Sequence, residues 1–120
     1  MRRFLTSFGH ALAGCSEVFS SQRNFRIHVG FAVAALVLGG SLGLSALEWL
    51  VLAMTIALVL SAEMVNTSLE ALVDLVSPEV HDKARVAKDV AAGAVLLMAL
   101  LSIIVGFVLF VPKLLLLRGA

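Results

Sequence analysis

Val90-Ala91-Ala92-Gly93-Ala94-Val95-Leu96-Leu97-Met98-Ala99-Leu100-Leu101-Ser102-Ile103-Ile104-Val105-Gly106-Phe107-Val108-Leu109-Phe110-Val111 contains no charged residue. A helix of this length crosses the ~30 Å hydrocarbon core of a bilayer, which takes about 20 predominantly apolar residues. Two further stretches read the same way. Val29 to Leu47 is uncharged, and Trp49 to Ala62 continues apolar after the single Glu48. The cluster Gly39-Gly40-Ser41-Leu42-Gly43 places the turn between these two at or just after it. Ser77-Pro78 stops the second span, because the residue before a proline is driven out of the helical region. Pro112 is expected to close the third.

Composition agrees with this reading. Apolar residues make up 61% of the 120-residue chain and charged residues 14%, against about 25% charged in soluble domains. A small water-soluble domain keeps too much of its surface exposed to hide that apolar content. The net charge of +1 offers no basic field for nucleic acid. The single Cys15 excludes an internal disulfide and any multi-cysteine metal site, and reads as a small packing residue. The segment after Arg2 and Arg3 is no cleavable signal. Its apolar run is short and broken by Thr6, Ser7, Gly9 and His10, and polar residues follow where a cleavage site should lie.

Toward the N-terminus, Phe4, Leu5, Phe8, Leu12, Cys15 and Phe19 fall on one side at helical spacing, with Arg3, His10 and Glu17 elsewhere. That pattern predicts an amphipathic helix on the membrane surface, or one packed on the spans. The expected fold is therefore an all-α integral membrane domain: a surface helix over about 4–22 and transmembrane helices over 27–47, 48–76 and 86–111. Arg2, Arg3, Arg23 and Arg26 precede the first span, and Lys83, Arg85 and Lys88 lie between the second and third. Positive charge favours the cytoplasmic side, so both regions are expected to face the cytosol. Lys113 and Arg118 then fall on the far side, against the rule.

The second helix carries the chemistry. Its helical periodicity runs on past the apolar stretch to about Val76, so it should project beyond the hydrocarbon. At 3.6 residues per turn, Glu63, Asn66, Thr67, Glu70 and Asp74 share one face, while Met64, Val65, Leu69, Leu72 and Val73 cover the rest. Crowded carboxylates at a membrane boundary repel one another and are costly to desolvate, so a cation must offset them. One source is the cluster Glu79, His81, Asp82, Lys83, Arg85, Lys88 and Asp89. Another is a bound metal, since Mg²⁺ takes one or two carboxylates plus phosphate oxygens. Glu63 and Glu70, two turns apart with a lysine opposite, suit phosphoryl transfer. The same residues in other roles are solvated carboxylates, helix-linking amides and an interfacial Lys88–Asp89 charge pair. No Gly-rich phosphate loop, zinc spacing or nucleophile elbow is present. Spacing alone leaves an intramembrane carboxylate site without a named reaction.

Glu63-Met64-Val65-Asn66-Thr67-Ser68-Leu69-Glu70-Ala71-Leu72-Val73-Asp74, then Ser77-Pro78-Glu79-Val80-His81 and Ala87-Lys88-Asp89-Val90-Ala91-Ala92-Gly93, resembles the prokaryotic diacylglycerol kinase family, and within it the undecaprenol kinase branch. Arg23-Asn24-Phe25-Arg26-Ile27-His28 matches the family's approach to its first span. The resemblance covers nearly the whole chain and is weakest over 1–20 and beyond 112. It implies a homotrimer with composite sites between subunits, in a bacterial inner membrane, with the active site facing the cytosol. The implied reaction is phosphorylation of a membrane lipid alcohol by ATP with Mg²⁺. Either undecaprenol gives undecaprenyl phosphate or diacylglycerol gives phosphatidic acid.

By the same resemblance Glu63 is the general base, and Glu70 and Gln22 stand at the metal. Arg3, His10, Gln22, Glu70, Asp74, Glu79, His81, Lys88 and Asp89 stand toward the nucleotide, and Glu63, Asn66 and Ala92 toward the lipid. Three positions depart from the family pattern. Gln22 replaces a glutamate and brings an oxygen without charge, His10 falls at an aromatic position, and Ala92 replaces a small hydroxyl residue. The competing class is a small oligomeric cation channel or transporter with Glu63 and Glu70 as its ion site. A facing lysine at position 88 argues against it.

Overall fold

A computed structural model describes residues 1–119, with Arg2 and Gly119 by backbone alone. Four helices account for almost all of them: α1 (Arg2–Ser21), α2 (Arg23–Leu42), α3 (Ala46–Val76) and α4 (Asp82–Gly119). The last three are each long and apolar enough to cross a membrane. At 1.5 Å per residue α3 is about 46 Å long, well beyond the ~30 Å hydrocarbon. One end of α3 must therefore stand in the headgroup region or past it.

The helix boundaries follow from local chemistry. Gln22 alone takes an extended conformation between α1 and α2. Arg26 folds back across this elbow, its Nη1 donating to Phe19 O at 3.0 Å and Ser20 O at 2.8 Å. A guanidinium there satisfies carbonyls that the end of α1 leaves open and favours the negative end of its dipole. Val18 and Phe25 are buried on the two sides of the elbow. Because this cap belongs to α2, that helix begins at Arg23, four residues ahead of the expected 27.

At the opposite end, Gly43 closes α2 at φ 64°, ψ 60°, a left-handed conformation costly for any residue with a Cβ. Gly39 lies inside α2 beneath this turn. A Cβ there would stand 2.8 Å from Leu44 Cδ1 and 3.1 Å from the Trp49 ring. Ser45 then starts α3 with a capping box: its Oγ accepts from Glu48 N–H at 3.3 Å, and Glu48 Oε2 accepts from Ser45 N–H at 2.7 Å. The same Glu48 oxygen lies 3.2 Å from Lys113 Nζ of α4. Lys113, which defied the positive-inside pattern, is therefore held by a carboxylate within the bundle.

α3 ends at Val76, directly before Ser77-Pro78. In the loop, Ser77 Oγ donates to Glu79 O at 3.2 Å. His81 Nδ1 accepts from Lys83 N–H at 3.1 Å, so an imidazole caps the first turn of α4. The expectation for Pro112 is corrected: it sits inside α4, which runs through it to Gly119. A proline removes one backbone hydrogen bond, but ending the helix there would strand several polar groups next to the apolar run Leu114–Leu117.

α3 and α4 form the main pair, α2 lies against both, and α1 touches α2 and α3. Leu44, Leu52, Leu109 and Phe110 form the buried cluster, with Trp49, Leu38 and Val105 packed around it. This core sits at the Gly43 end. Large apolar side chains such as Leu97, Ile104, Phe107 and Val108 point outward from α4, as suits a helix solvated by lipid or by another protein surface.

Candidate active site

The polar face of α3 is arranged as three successive partnerships. Glu63, the first, is 4% exposed, one turn after Val59 and Leu60 on the helix. Thr67 Oγ1 donates to Glu63 O at 2.9 Å and leaves the carboxylate free. The partner of that carboxylate comes from a different helix: His28 Nε2 of α2 lies 3.2 Å from Glu63 Oε1. This is ion-pair distance, yet among the described residues no aligned hydrogen bond reaches Oε1, which is buried. A buried carboxylate with one loosely placed partner is costly, and such groups concentrate at functional sites.

One turn further on, Asn66 Nδ2 donates to Glu70 Oε1 at 2.9 Å. The amide oxygen, Asn66 Oδ1, is buried and has no hydrogen-bond partner among the described residues. Among the described residues no three His, Cys, Asp or Glu side chains gather as a ready-made metal cage. The Glu70 carboxylate beside an unsatisfied amide oxygen is nonetheless a hard oxygen donor set. Mg²⁺ accepts one or two such groups and completes its octahedron with water and phosphate, so the residues present fit that ion.

Asp74 is the third. Its Oδ1 pairs with Lys88 Nζ of α4 at 2.5 Å. The Lys88–Asp89 pairing read from their adjacency does not form. Consecutive helical residues point about 100° apart, so Asp89 pairs one turn back with Arg85, at 3.1 Å. Asp74, Glu79, His81, Arg85, Lys88 and Asp89 together line a pocket of about 290 Å³ between the end of α3 and the start of α4. Five residues expected on the nucleotide side, namely Asp74, Glu79, His81, Lys88 and Asp89, are thus brought together. Arg3 and His10 are exposed on α1 and do not line this pocket. Gln22 is half-buried at the α1–α2 elbow, and Ala92 is exposed on α4.

A second cavity, of about 440 Å³, lies between α2, α3 and α4. His28 stands at one end of its lining and Phe110 at the other. Small residues (Ala32, Ala35, Ala99, Gly106) keep it open. The α3 face therefore leads from an apolar cavity, past a buried carboxylate and an amide–carboxylate pair, to a charged pocket. Between Glu63 and Asp74 this runs about 16 Å along the helix.

His28 is the component that the α3 stripe does not reveal. Its signal in the sequence is a lone imidazole at the edge of an otherwise uncharged run, within Arg23-Asn24-Phe25-Arg26-Ile27-His28. The side chain that meets Glu63 comes from there and not from the 79–89 cluster.

Residues 9–110 match the family model described as prokaryotic diacylglycerol kinase. An undecaprenol kinase of Bacillus subtilis is 41% identical over 114 residues, covering 95% of this chain and 93% of the relative. A diacylglycerol kinase of Synechocystis is 49% identical over 112 residues, 92% of this chain and 64% of that relative. The diacylglycerol kinase of Escherichia coli K12 is 26% identical over 102 residues, 85% of this chain and 84% of the relative. The two names attached to the more similar relatives differ in the lipid, so similarity alone does not choose the acceptor. What they share is the class: this chain is a lipid kinase and belongs to the prokaryotic diacylglycerol kinase family.

Proposed function

We propose that the protein transfers the γ-phosphoryl group of MgATP to the primary hydroxyl of a membrane lipid alcohol, undecaprenol or diacylglycerol. The observation that carries this reading is the order of groups along α3. A buried carboxylate with an unsatisfied oxygen lies on the apolar side, and a lysine-bearing charged pocket lies on the loop side. A lipid hydroxyl reaches the first from the bilayer, and a nucleotide reaches the second from water.

In this mechanism Glu63 is the general base. It takes the hydroxyl proton as the lipid oxygen attacks the γ-phosphorus, the bond to the bridging oxygen breaks, and ADP leaves. Asn66, whose amide donates to Glu70, supports the reacting groups, and Ala92 leaves room on the lipid side. Lys88, held by Asp74, offsets phosphate charge, with Glu79, His81 and Asp89 completing the nucleotide pocket. Glu70, with Gln22 as a neutral oxygen donor, would hold Mg²⁺, which neutralises phosphate charge when bound. Arg3 and His10 act on the nucleotide from α1.

The site is composite in a homotrimer, and this accounts for two facts. Arg3 and His10 do not line the charged pocket of their own chain, and among the described residues Glu63 Oε1 and Asn66 Oδ1 are buried without a hydrogen bond. Exposed Phe4, Phe8, Leu12 and Phe19 on α1 suit an amphipathic helix lying on the cytosolic face of a bacterial inner membrane. The test is transfer of label from γ-labelled ATP in detergent, with undecaprenol and diacylglycerol offered in turn to one purified preparation. Labelled lipid that requires Mg²⁺ supports the reading, and the faster acceptor identifies the substrate. No labelled lipid from either alcohol refutes it.

A further inference from the structure

We propose that His28 is a positioning residue for the base: from α2 it fixes the Glu63 carboxylate through Oε1 and leaves Oε2 to take the acceptor's proton. The inference rests on the reading of Glu63 as that base, but its support is separate. His28 Nε2 is 3.2 Å from Glu63 Oε1, and the two side chains are 21% and 6% exposed. Among the described residues no aligned hydrogen bond, from His28 or from any other group, reaches Oε1, so the 3.2 Å approach of the imidazole is the contact that places it. Every other carboxylate on this face has a partner that holds it from its own helix or from α4: Asn66 for Glu70 and Lys88 for Asp74. Without His28 the buried Glu63 carboxylate would lose the side chain that approaches Oε1, and with it a restraint on its rotamer. A base must lie within about 2.6–3.2 Å of the proton it removes, and a displacement of about 1 Å can cost on the order of 100-fold.

His28 is also in the right place to set the direction of approach. It lines the end of the apolar cavity between α2, α3 and α4. Its imidazole therefore forms part of that cavity's wall while also approaching Glu63 Oε1, and through that oxygen it governs which way the other one faces. Glu63 and His28 lie on different helices, so this contact makes the base geometry depend on the α2–α3 packing.

The experiment compares three substitutions in the full chain, purified in detergent, with MgATP and whichever of short-chain diacylglycerol or a short polyprenol the parent phosphorylates. His28→Gln carries an amide nitrogen the same number of bonds from the backbone as Nε2. His28→Asn carries it one bond short, and His28→Leu has none. The expected result is a fall in kcat on the order of 10- to 100-fold for the Leu and Asn variants. The Gln variant should recover to within a few-fold of the parent, with the KM for ATP unchanged throughout. Combining His28→Leu with Glu63→Gln should lower kcat no further than Glu63→Gln alone, as for two groups acting through one atom.

Parent-like kcat in His28→Leu while Glu63→Gln is inactive would overturn the inference and leave the base assignment standing. Equal losses in the Gln, Asn and Leu variants, or a change confined to the KM for ATP, would overturn it as well. Full activity of Glu63→Gln would overturn the base assignment itself and this inference with it. Should the Leu variant fail to fold, the contrast between Gln and Asn decides alone.

Discussion

The two ends of the helix bundle treat a carboxylate in opposite ways. At the Gly43 end, Glu48 accepts from Ser45 N–H and pairs with Lys113, so one side chain ties the α2–α3 turn to α4. At the other end, Glu63 is more deeply buried, yet among the described residues its carboxylate is approached by His28 without an aligned hydrogen bond, and the nearby Asn66 Oδ1 has no hydrogen-bond partner. Burial without satisfaction costs free energy, and a fold retains it where the group must bind or react. The saturated end ties helices together, and the unsaturated end is the one proposed to do the chemistry.

Several substitutions sharpen this contrast. Beside the base itself, a large effect is expected from Glu70→Gln. The amide can still accept from Asn66 Nδ2, so the substitution removes charge while keeping the local bond. Turnover should fall by about 100-fold or more at ordinary Mg²⁺, in line with the weight of electrostatic stabilisation in phosphoryl transfer, and be partly regained at high Mg²⁺. Retained turnover with unchanged Mg²⁺ dependence would remove Glu70 from the metal site.

A smaller, partial signal tests whether the open end is completed between subunits. Glu63→Gln and Lys88→Ala are each expected to be inactive. Refolded together in detergent, mixed trimers should recover part of the parent activity, because some interfaces then carry both intact residues. No recovery in demonstrably mixed trimers would place both residues in one subunit's site. At the elbow, Gln22→Glu adds a charge where the family pattern carries one. It should lower the Mg²⁺ concentration for half-maximal activity several-fold, as expected when a carboxylate replaces a neutral donor. The smallest effect belongs to the closed end. Ser45→Ala should destabilise the fold by about 1 kcal/mol, the usual cost of losing an N-cap, with turnover per folded enzyme unchanged.

Much of this contrast was legible in the sequence, and the gaps have physical causes. The three apolar helices follow from uncharged runs, and the α3 stripe from one helical period, because both are properties of single segments. Pro112 misled because the rule that proline ends helices belongs to water, where stranded carbonyls find solvent. In an apolar setting continuing the helix costs less. Lys88 pairs with Asp74 and not with its neighbour Asp89, and Glu63 with His28, because these contacts cross between helices that periodicity treats one at a time. Glu48, a lone charge in an apolar run, became intelligible only with Ser45 and Lys113 beside it.

The account stands on the division between the two ends, and one paired measurement tests it. Glu48→Gln and Glu63→Gln are purified side by side in the same detergent, and lipid-dependent γ-phosphate transfer and the thermal unfolding midpoint are recorded for each. The expected result is a crossing. Glu63→Gln loses about 10²- to 10⁴-fold in kcat, as for removal of a general base, with an unfolding midpoint no lower than the parent's. Glu48→Gln keeps the parent's kcat and unfolds at a lower temperature. A Glu63→Gln enzyme with near-parent turnover, or a Glu48→Gln enzyme as inactive as Glu63→Gln at full stability, would contradict the division and the assignment of the active site to the α3 face.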